Sequence, residues 1–140
     1  LARGGIHLVI RDHPVDEPET IATAIRIGNP ASWAQAVAAR DDSGGRIDAV
    51  TDEQILDAHR ILSGKEGVFV EPGSAASVAG LLARSESGDV PAGARIVCTV
   101  TGHGLKDPQW ALKRADGTEV VPTQIAAEAY AAAVALGLES

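Results

Sequence analysis

The chain has 140 residues, a length that suits one domain with an ordinary hydrophobic core. Its 12 lysine and arginine residues against 19 aspartate and glutamate residues give a net charge of −7, which argues against a nucleic-acid or anionic-membrane partner. The single cysteine, Cys98, excludes a disulfide within the chain and favours a reducing compartment.

The N-terminal third predicts one strand and two helices. IHLVI (residues 6–10) is a short apolar run typical of a strand. TIATAIRI (20–27) is compatible with a helix, although it is rich in β-branched residues, and Gly28-Asn29-Pro30 is a strong stop signal after it. ASWAQAVAAR (31–40) spaces its larger apolar residues as a second helix does.

The middle of the chain begins with a strand and a capped helix. RIDAV (46–50) predicts the strand, and Thr51 with Gln54 three residues later predicts a capping box. Gly67 should end the helix. The apolar face of this helix is predicted to carry Ile55, His59 and Leu62.

A second strand and helix follow, and then a third strand. VFV (68–70) predicts a strand, and Ser74 is predicted to be the N-cap of the next helix. That helix is predicted at AASVAGLLAR (75–84), which is rich in small residues. A third strand is predicted at ARIVCTV (94–100), which is apolar on both faces. Strands and helices that alternate in this way predict an α/β protein with a parallel sheet flanked by helices.

The last thirty residues carry weaker patterns. A turn is predicted at Asp116-Gly117, a short strand at EVV (119–121), and an alanine-rich helix after Thr123.

Polar residues follow two of the predicted strands and should lie on one rim of the sheet, where α/β proteins hold small ligands. Glu71 either orients a cofactor or substrate group, or is stabilised by the dipole of the helix after it. The Thr101 hydroxyl either bonds a heterocyclic nitrogen, with Gly102 and Gly104 allowing a positive φ and a close approach, or belongs to an ordinary tight turn.

The titratable residues predict neither a metal site nor a nucleophile. His103 has no metal-ligand spacing to the other histidines, which are scattered. Lys106, followed by Asp107, favours a structural ion pair over a Schiff-base lysine. Cys98 lies inside a predicted strand and has no partner histidine.

The sequence shows no stretch of 18 apolar residues that would predict a membrane span, and no basic n-region before an apolar h-region that would predict a signal peptide. We therefore expect a soluble, cytoplasmic protein. Leu1 as the first residue and the absence of methionine lead us to expect a fragment or processed piece of a longer protein.

Three stretches, in this order and spacing, resemble the C-terminal portion of the threonine synthase family of pyridoxal-phosphate enzymes. They are ETIATAIRIGNPASW (19–33), GVFVEPGSAASVAGLL (67–82) and TVTGHGLKDP (99–108), and the resemblance covers about residues 10–112. It implies a segment of the large cofactor domain of fold type II, with residues 1–140 as a single C-terminal piece and the role of 111–140 unassigned.

The resemblance also implies a function. Enzymes of this family are lyases of threonine biosynthesis that convert O-phosphohomoserine to threonine and phosphate with pyridoxal phosphate. Thr101 matches the position of the hydroxyl that meets the pyridine nitrogen, and the backbone of Ala24 matches a position near the cofactor ring. The Schiff-base lysine is expected upstream, so no catalytic residue is assigned and the chain alone is predicted to be inactive. The implied partners are the missing N-terminal part and, in the intact enzyme, a second copy in a homodimer.

Two alternatives stay open. The chain could be a non-catalytic binding or dimerisation module, which would not bind pyridoxal phosphate. It could also belong to another type II enzyme such as threonine dehydratase or cysteine synthase, although RIGNPASW (26–33) together with TGHGLKDP (101–108) fits threonine synthase better.

Overall fold

The computed structural model describes residues 13–113 and 117–138. The strand predicted at 6–10 and the first residue of the predicted turn, Asp116, lie outside these ranges. The chain divides into two compact units, Leu1–Pro108 and Gln109–Ser140. Within the described ranges the α-helices are α1 (Trp33–Ser43), α2 (Asp52–Gly64), α3 (Pro72–Glu86) and α4 (Ala129–Ala135), and 3-10 turns span Thr23–Ile25, Gly104–Lys106 and Pro108–Trp110.

Helix α2 begins with the predicted capping box. The Gln54 backbone N–H donates to Thr51 Oγ1 (3.2 Å), and the Thr51 backbone N–H donates to Gln54 Oε1 (2.8 Å). Both interactions satisfy backbone donors at a helix start, which have no partner within the helix. The predicted apolar face is confirmed, because Ile55 and His59 are buried and Leu62 packs against the core.

The core of the first unit lies between α2 and α3. Helix α3 contributes the small residues Ala75 and Ala79 to this core, and Ile55 and Ala58 of α2 are buried in the same cluster. Helix α2 ends at Gly64, a little before the predicted end at Gly67. The buried apolar residues are Ala22, Ile55, Ala58, Val70, Ala75 and Ala79.

The helix predicted at 20–27 was wrong, because only the 3-10 turn Thr23–Ile25 forms there. Thr20 Oγ1 donates to Asp52 Oδ1 (2.6 Å) and accepts from the Ala22 N–H (3.2 Å). Asp52 Oδ1 also accepts from the Ile21 N–H (3.3 Å). Side chains therefore satisfy the backbone donors of this segment, which removes the advantage that a helix would offer.

The start of α3 also differs from the prediction. Glu71 is the N-cap and Pro72 follows at the first helical position, so Ser74 lies inside the first turn and is not the cap. Proline suits this position because its missing N–H would have no partner there and its φ is already helical. The Ser74 hydroxyl is thereby available for contacts outside the helix.

The three segments predicted as strands carry no ladder among the residues that the structure describes. Residues 46–50 and 94–100 have no regular secondary structure, and Val70 forms only an isolated antiparallel bridge with His103. Apolar side chains of 94–100 are exposed, Val97 at 91%. A strand takes its backbone hydrogen bonds from a neighbouring strand, so the parallel sheet stays a prediction.

The second unit holds α4, which confirms a helix after Thr123, although it starts only at Ala129. Gly117 has a φ of 84°, which suits the predicted turn. Glu119 of the predicted EVV strand forms an isolated bridge with Lys113. No helix in the described parts of the chain is long and apolar enough to cross a bilayer.

Candidate functional site

The two segments predicted to share a rim, 71–74 and 101–104, lie together in the first unit. The Glu71 backbone N–H donates to the Gly102 carbonyl (3.0 Å). This bond links the N-terminus of α3 to the loop that follows 94–100, so the predicted proximity is confirmed.

Ser74 joins these segments through its side chain. Its hydroxyl oxygen accepts from the Thr101 backbone N–H (3.0 Å) and from the Gly102 backbone N–H (2.7 Å). The same oxygen lies 3.2 Å from Thr101 Oγ1 and 3.3 Å from the Gly102 carbonyl oxygen. Ser74 is only 3% exposed, whereas Thr101 is exposed. A buried hydroxyl therefore orients an exposed one.

The Glu71 carboxylate packs directly against this loop. Its residue is 5% exposed, and a Cβ built on Gly102 would overlap the carboxylate. Glu71 Oε2 lies 3.4 Å from Lys106 Nζ, an ion pair with one buried member. The Glu71 side chain makes no capping hydrogen bond to α3. The prediction of an ion pair at Lys106 is confirmed, but the partner expected from the sequence was Asp107 and the one seen is Glu71.

The glycines of the loop allow close packing, but not by the predicted route. Neither Gly102 nor Gly104 belongs to the glycines with positive φ. A Cβ on Gly104 would overlap the Phe69 ring, as one on Gly102 would overlap Glu71. The close approach that these glycines permit is therefore made by the protein's own side chains.

Ala24 lies at the same end of α3 as Thr101. A Cβ built on Gly73 would lie 3.5 Å from Ala24 Cβ, an ordinary van der Waals distance. The preceding residue, Thr23, donates from Oγ1 to Asp107 Oδ2 (2.8 Å), which ties the Thr23–Ile25 turn to the loop after Thr101. Ala24 is exposed, like Thr101. The two residues singled out from the sequence therefore flank the first turn of α3.

The histidines of this region have structural contacts. His103 Nδ1 accepts from the Leu105 N–H (3.2 Å), and its ring meets the Phe69 ring edge to face at 5.5 Å. The His59 ring also meets the Phe69 ring edge to face, with the ring centroids 6.2 Å apart. Burial lowers the pKa of His59 below its ordinary value. The described residues contain no group of three His, Cys, Asp or Glu side chains placed to hold a metal.

Two features of the site were missed from the sequence. Ser74 was assigned to helix capping, and the link from Thr23 to Asp107 was not foreseen. A serine two positions after a proline at a helix start is one signal that could have found Ser74, because such a residue is not needed as the cap. Nothing local indicates the Thr23 contact, since its partner lies 84 residues away.

Comparison with known proteins identifies the family. Residues 6–102 match the family described as pyridoxal-phosphate dependent enzyme. The chain belongs to this family. It is 54% identical over 112 residues to a threonine synthase of Halalkalibacterium halodurans, covering 80% of the chain and 32% of that protein. It is 58% identical over 104 residues to a threonine synthase of Synechocystis, covering 74% of the chain and 27% of that protein. It is 55% identical over 121 residues to a threonine synthase of Mycobacterium tuberculosis, covering 86% of the chain and 33% of that protein. The chain spans about a third of the length of these relatives.

The rim residues fit the pyridine end of pyridoxal phosphate, the cofactor of this family. A pyridine nitrogen needs one hydrogen-bonding group in its plane, and Thr101 offers an exposed hydroxyl held in place by a buried one. Ala24, exposed beside the same helix end, has a side chain small enough to lie against a flat ring. The charged groups nearby, Glu71 and Lys106, are paired with each other.

Proposed function

We propose that this chain is the C-terminal segment of a threonine synthase, which converts O-phosphohomoserine and water to threonine and phosphate. Relatives that are 54–58% identical to it over aligned stretches of 104–126 residues carry that name. The single observation that carries the proposal is the exposed Thr101 hydroxyl, bonded to buried Ser74 within a stretch that matches the family.

In this proposal Thr101 contacts the pyridine nitrogen and the backbone of Ala24 lies beside the ring. Bound pyridoxal phosphate supplies the electron sink for elimination of phosphate from the substrate. A hydroxyl is neutral, so Thr101 does not favour a protonated ring nitrogen as a carboxylate would. The protein would thereby limit how much electron density the ring withdraws from the substrate.

The exposed apolar segment 94–100 supports a larger assembly. Ile96 and Val97 are 47% and 91% exposed, and the Ser77 hydroxyl donates to the Thr99 carbonyl (3.1 Å), which holds the segment against α3. We propose that this segment is a strand of a parallel sheet completed by the remainder of the protein, which also supplies the Schiff-base lysine. The chain alone is then inactive, and the intact enzyme is a cytoplasmic homodimer.

A chimeric enzyme tests this proposal. The matching stretch of the Halalkalibacterium halodurans threonine synthase is replaced by residues of this chain, and phosphate and threonine are measured with O-phosphohomoserine as substrate. We expect both products in equal amounts. The chimera with Thr101→Val should lose most of this activity, while the chimera with Ser77→Ala, which alters the same helix without touching Thr101, should retain it.

Two results would contradict the proposed function. A folded chimera that binds pyridoxal phosphate and dehydrates threonine, but makes none from O-phosphohomoserine, would assign the chain to a dehydratase. Steady phosphate release by the 140-residue chain alone, abolished by Lys106→Met, would overturn the view that the lysine lies elsewhere.

A further inference from the structure

The hydrogen-bonding capacity of Ser74 is fully used, and this determines where the Thr101 proton can go. A serine hydroxyl has one proton to donate and two lone pairs to accept with. Both lone pairs of Ser74 Oγ are taken, by the Thr101 N–H at 3.0 Å and by the Gly102 N–H at 2.7 Å. Ser74 Oγ therefore has no lone pair left for the Thr101 hydroxyl.

The one proton of Ser74 has two acceptors within reach. Thr101 Oγ1 lies at 3.2 Å and the Gly102 carbonyl oxygen at 3.3 Å. The carbonyl already accepts the Glu71 N–H at 3.0 Å, whereas the Thr101 oxygen is the nearer acceptor. Whichever acceptor Ser74 uses, it donates and cannot receive the proton of Thr101.

We infer that Ser74 is a positioning residue that makes the Thr101 hydroxyl a hydrogen-bond donor toward the open side of the rim. Ser74 is buried and Thr101 is exposed, so the Thr101 proton points away from α3. Such a donor recognises a hydrogen-bond acceptor, and an unprotonated heterocyclic nitrogen is an acceptor of this kind. The identification of that nitrogen as the cofactor's rests on the proposed function, whereas the direction of the proton rests on the Ser74 contacts alone.

The backbone contacts reinforce the assignment. The two N–H groups that Ser74 accepts belong to Thr101 itself and to its neighbour, so one side chain fixes both the backbone and the hydroxyl of the same residue. Loss of the Ser74 hydroxyl would leave two buried or half-buried donors without their partner. Ser77, one turn further along α3, bonds the Thr99 and Ser74 carbonyls and makes no such contact, which makes it a matched control.

The first experiment uses the isotope-labelled 140-residue chain in solution. NMR should show the Ser74 hydroxyl proton in slow exchange with water and the Thr101 hydroxyl proton in fast exchange. Three-bond couplings to the Thr101 methyl carbon should report a single χ1 rotamer in the wild-type chain and in Ser77→Ala, and an averaged one in Ser74→Ala. Ser74→Thr, which keeps the hydroxyl, should restore the single rotamer.

Defined results would overturn the inference. They are a slowly exchanging Thr101 proton beside a rapidly exchanging Ser74 proton, an averaged rotamer in the wild-type chain, or an unchanged rotamer in Ser74→Ala. If Ser74→Ala does not fold, Ser74→Cys decides the matter, because a thiol keeps the shape of the side chain but is a weak acceptor, so the rotamer should again be averaged.

The second experiment tests the heterocycle in the chimeric enzyme described above, with its cofactor removed, because the isolated chain spans only about a third of the length of its relatives. Pyridoxine phosphate has the ring nitrogen of the cofactor but an alcohol in place of the aldehyde, so it does not condense with lysines. We expect it to shift the Thr101 and Gly102 amide signals, and to bind about three- to tenfold more weakly to the chimera with Ser74→Ala. Its N-methyl derivative, which cannot accept a hydrogen bond, should bind more weakly and with equal affinity to both chimeras.

The two experiments separate the two claims. If the hydroxyl protons behave as expected but neither compound shifts Thr101, the ring contact in the proposed function is wrong and the role of Ser74 stands. If both compounds bind equally well to the chimera that keeps Ser74, Thr101 is not a donor to the ring nitrogen and the inference fails.

Discussion

Gly102→Ala should destabilise the protein through one identified contact. The added Cβ would overlap the Glu71 carboxylate, which is buried beside the loop and paired with Lys106 at 3.4 Å. The carboxylate must move out of its position or the loop must shift. Overpacking of this kind costs about 1–3 kcal/mol of the free energy of unfolding.

A double-mutant cycle isolates that contact. Glu71→Ala removes the atoms that the new Cβ would meet, so Gly102→Ala in that background should cost much less than in the wild-type chain. Glu71→Ala also leaves Lys106 without its partner, but the Lys106 side chain is 63% exposed and stays solvated. The free energies are measured by urea denaturation of all four chains, followed by circular dichroism.

Gly64→Ala is the matched control. A Cβ at Gly64, the last residue of α2, has no neighbour within 4 Å. This substitution should leave the protein equally stable or stabilise it by up to about 1 kcal/mol, since alanine favours the helix. The reasoning is refuted if Gly102→Ala is as stable as wild type, or if its cost is the same with and without the Glu71 side chain.

Further predictions concern the elements that support the site. Thr51→Ala should lower the free energy of unfolding by about 1 kcal/mol, because the Gln54 N–H loses its acceptor, and urea denaturation would contradict this if the midpoint did not move. Ile55→Ala, at a position 2% exposed, should cost about 2–5 kcal/mol through the cavity it leaves, while Ile27→Ala at 49% exposure should cost far less; equal losses would show that Ile55 does not pack as described. Burial lowers the pKa of His59 from its ordinary value of 6.5, so His59 binds a proton more readily in the unfolded chain than in the folded one. The stability contributed by neutral His59 is therefore complete above pH 6.5 and is lost as the pH falls through the lower pKa of the folded state. The difference in free energy of unfolding between wild type and His59→Gln should therefore change between pH 8 and pH 5, and a constant difference would contradict the assignment.

Helices with strong local signals were predictable from the sequence. Thr51 and Gln54 form a capping box, a local pattern that predicts the start of α2 without any tertiary contact. The helical spacing then places Ile55 and His59 on the buried face. The proximity of Glu71 to Gly102 was predictable from topology, because both follow apolar runs that the α/β pattern places side by side.

Features that depend on distant partners were not predictable in this way. Residues 20–27 are compatible with a helix, but Thr20 bonds Asp52, 32 residues away, and the helix does not form. The glycines at 102 and 104 were expected to serve positive φ, whereas they make room for the Glu71 and Phe69 side chains. In both cases the competing contact is tertiary, and no window of local sequence contains it.

In the proposed function, the relation between Glu71 and Thr101 favours a neutral contact to the ring nitrogen. A carboxylate beside a pyridine nitrogen stabilises its protonated form, whereas a hydroxyl that donates requires the unprotonated form. Both types of oxygen stand at this end of α3, but Glu71 is 5% exposed and paired with Lys106, while Thr101 is exposed and held by Ser74. The ion pair with Lys106 therefore holds the Glu71 carboxylate in the protein interior, and the exposed oxygen at this end of α3 is the neutral hydroxyl of Thr101. In this proposal Lys106 supports the site without touching a ligand, since its charge makes burial of the Glu71 carboxylate tolerable next to Thr101, whose proposed role requires an uncharged group.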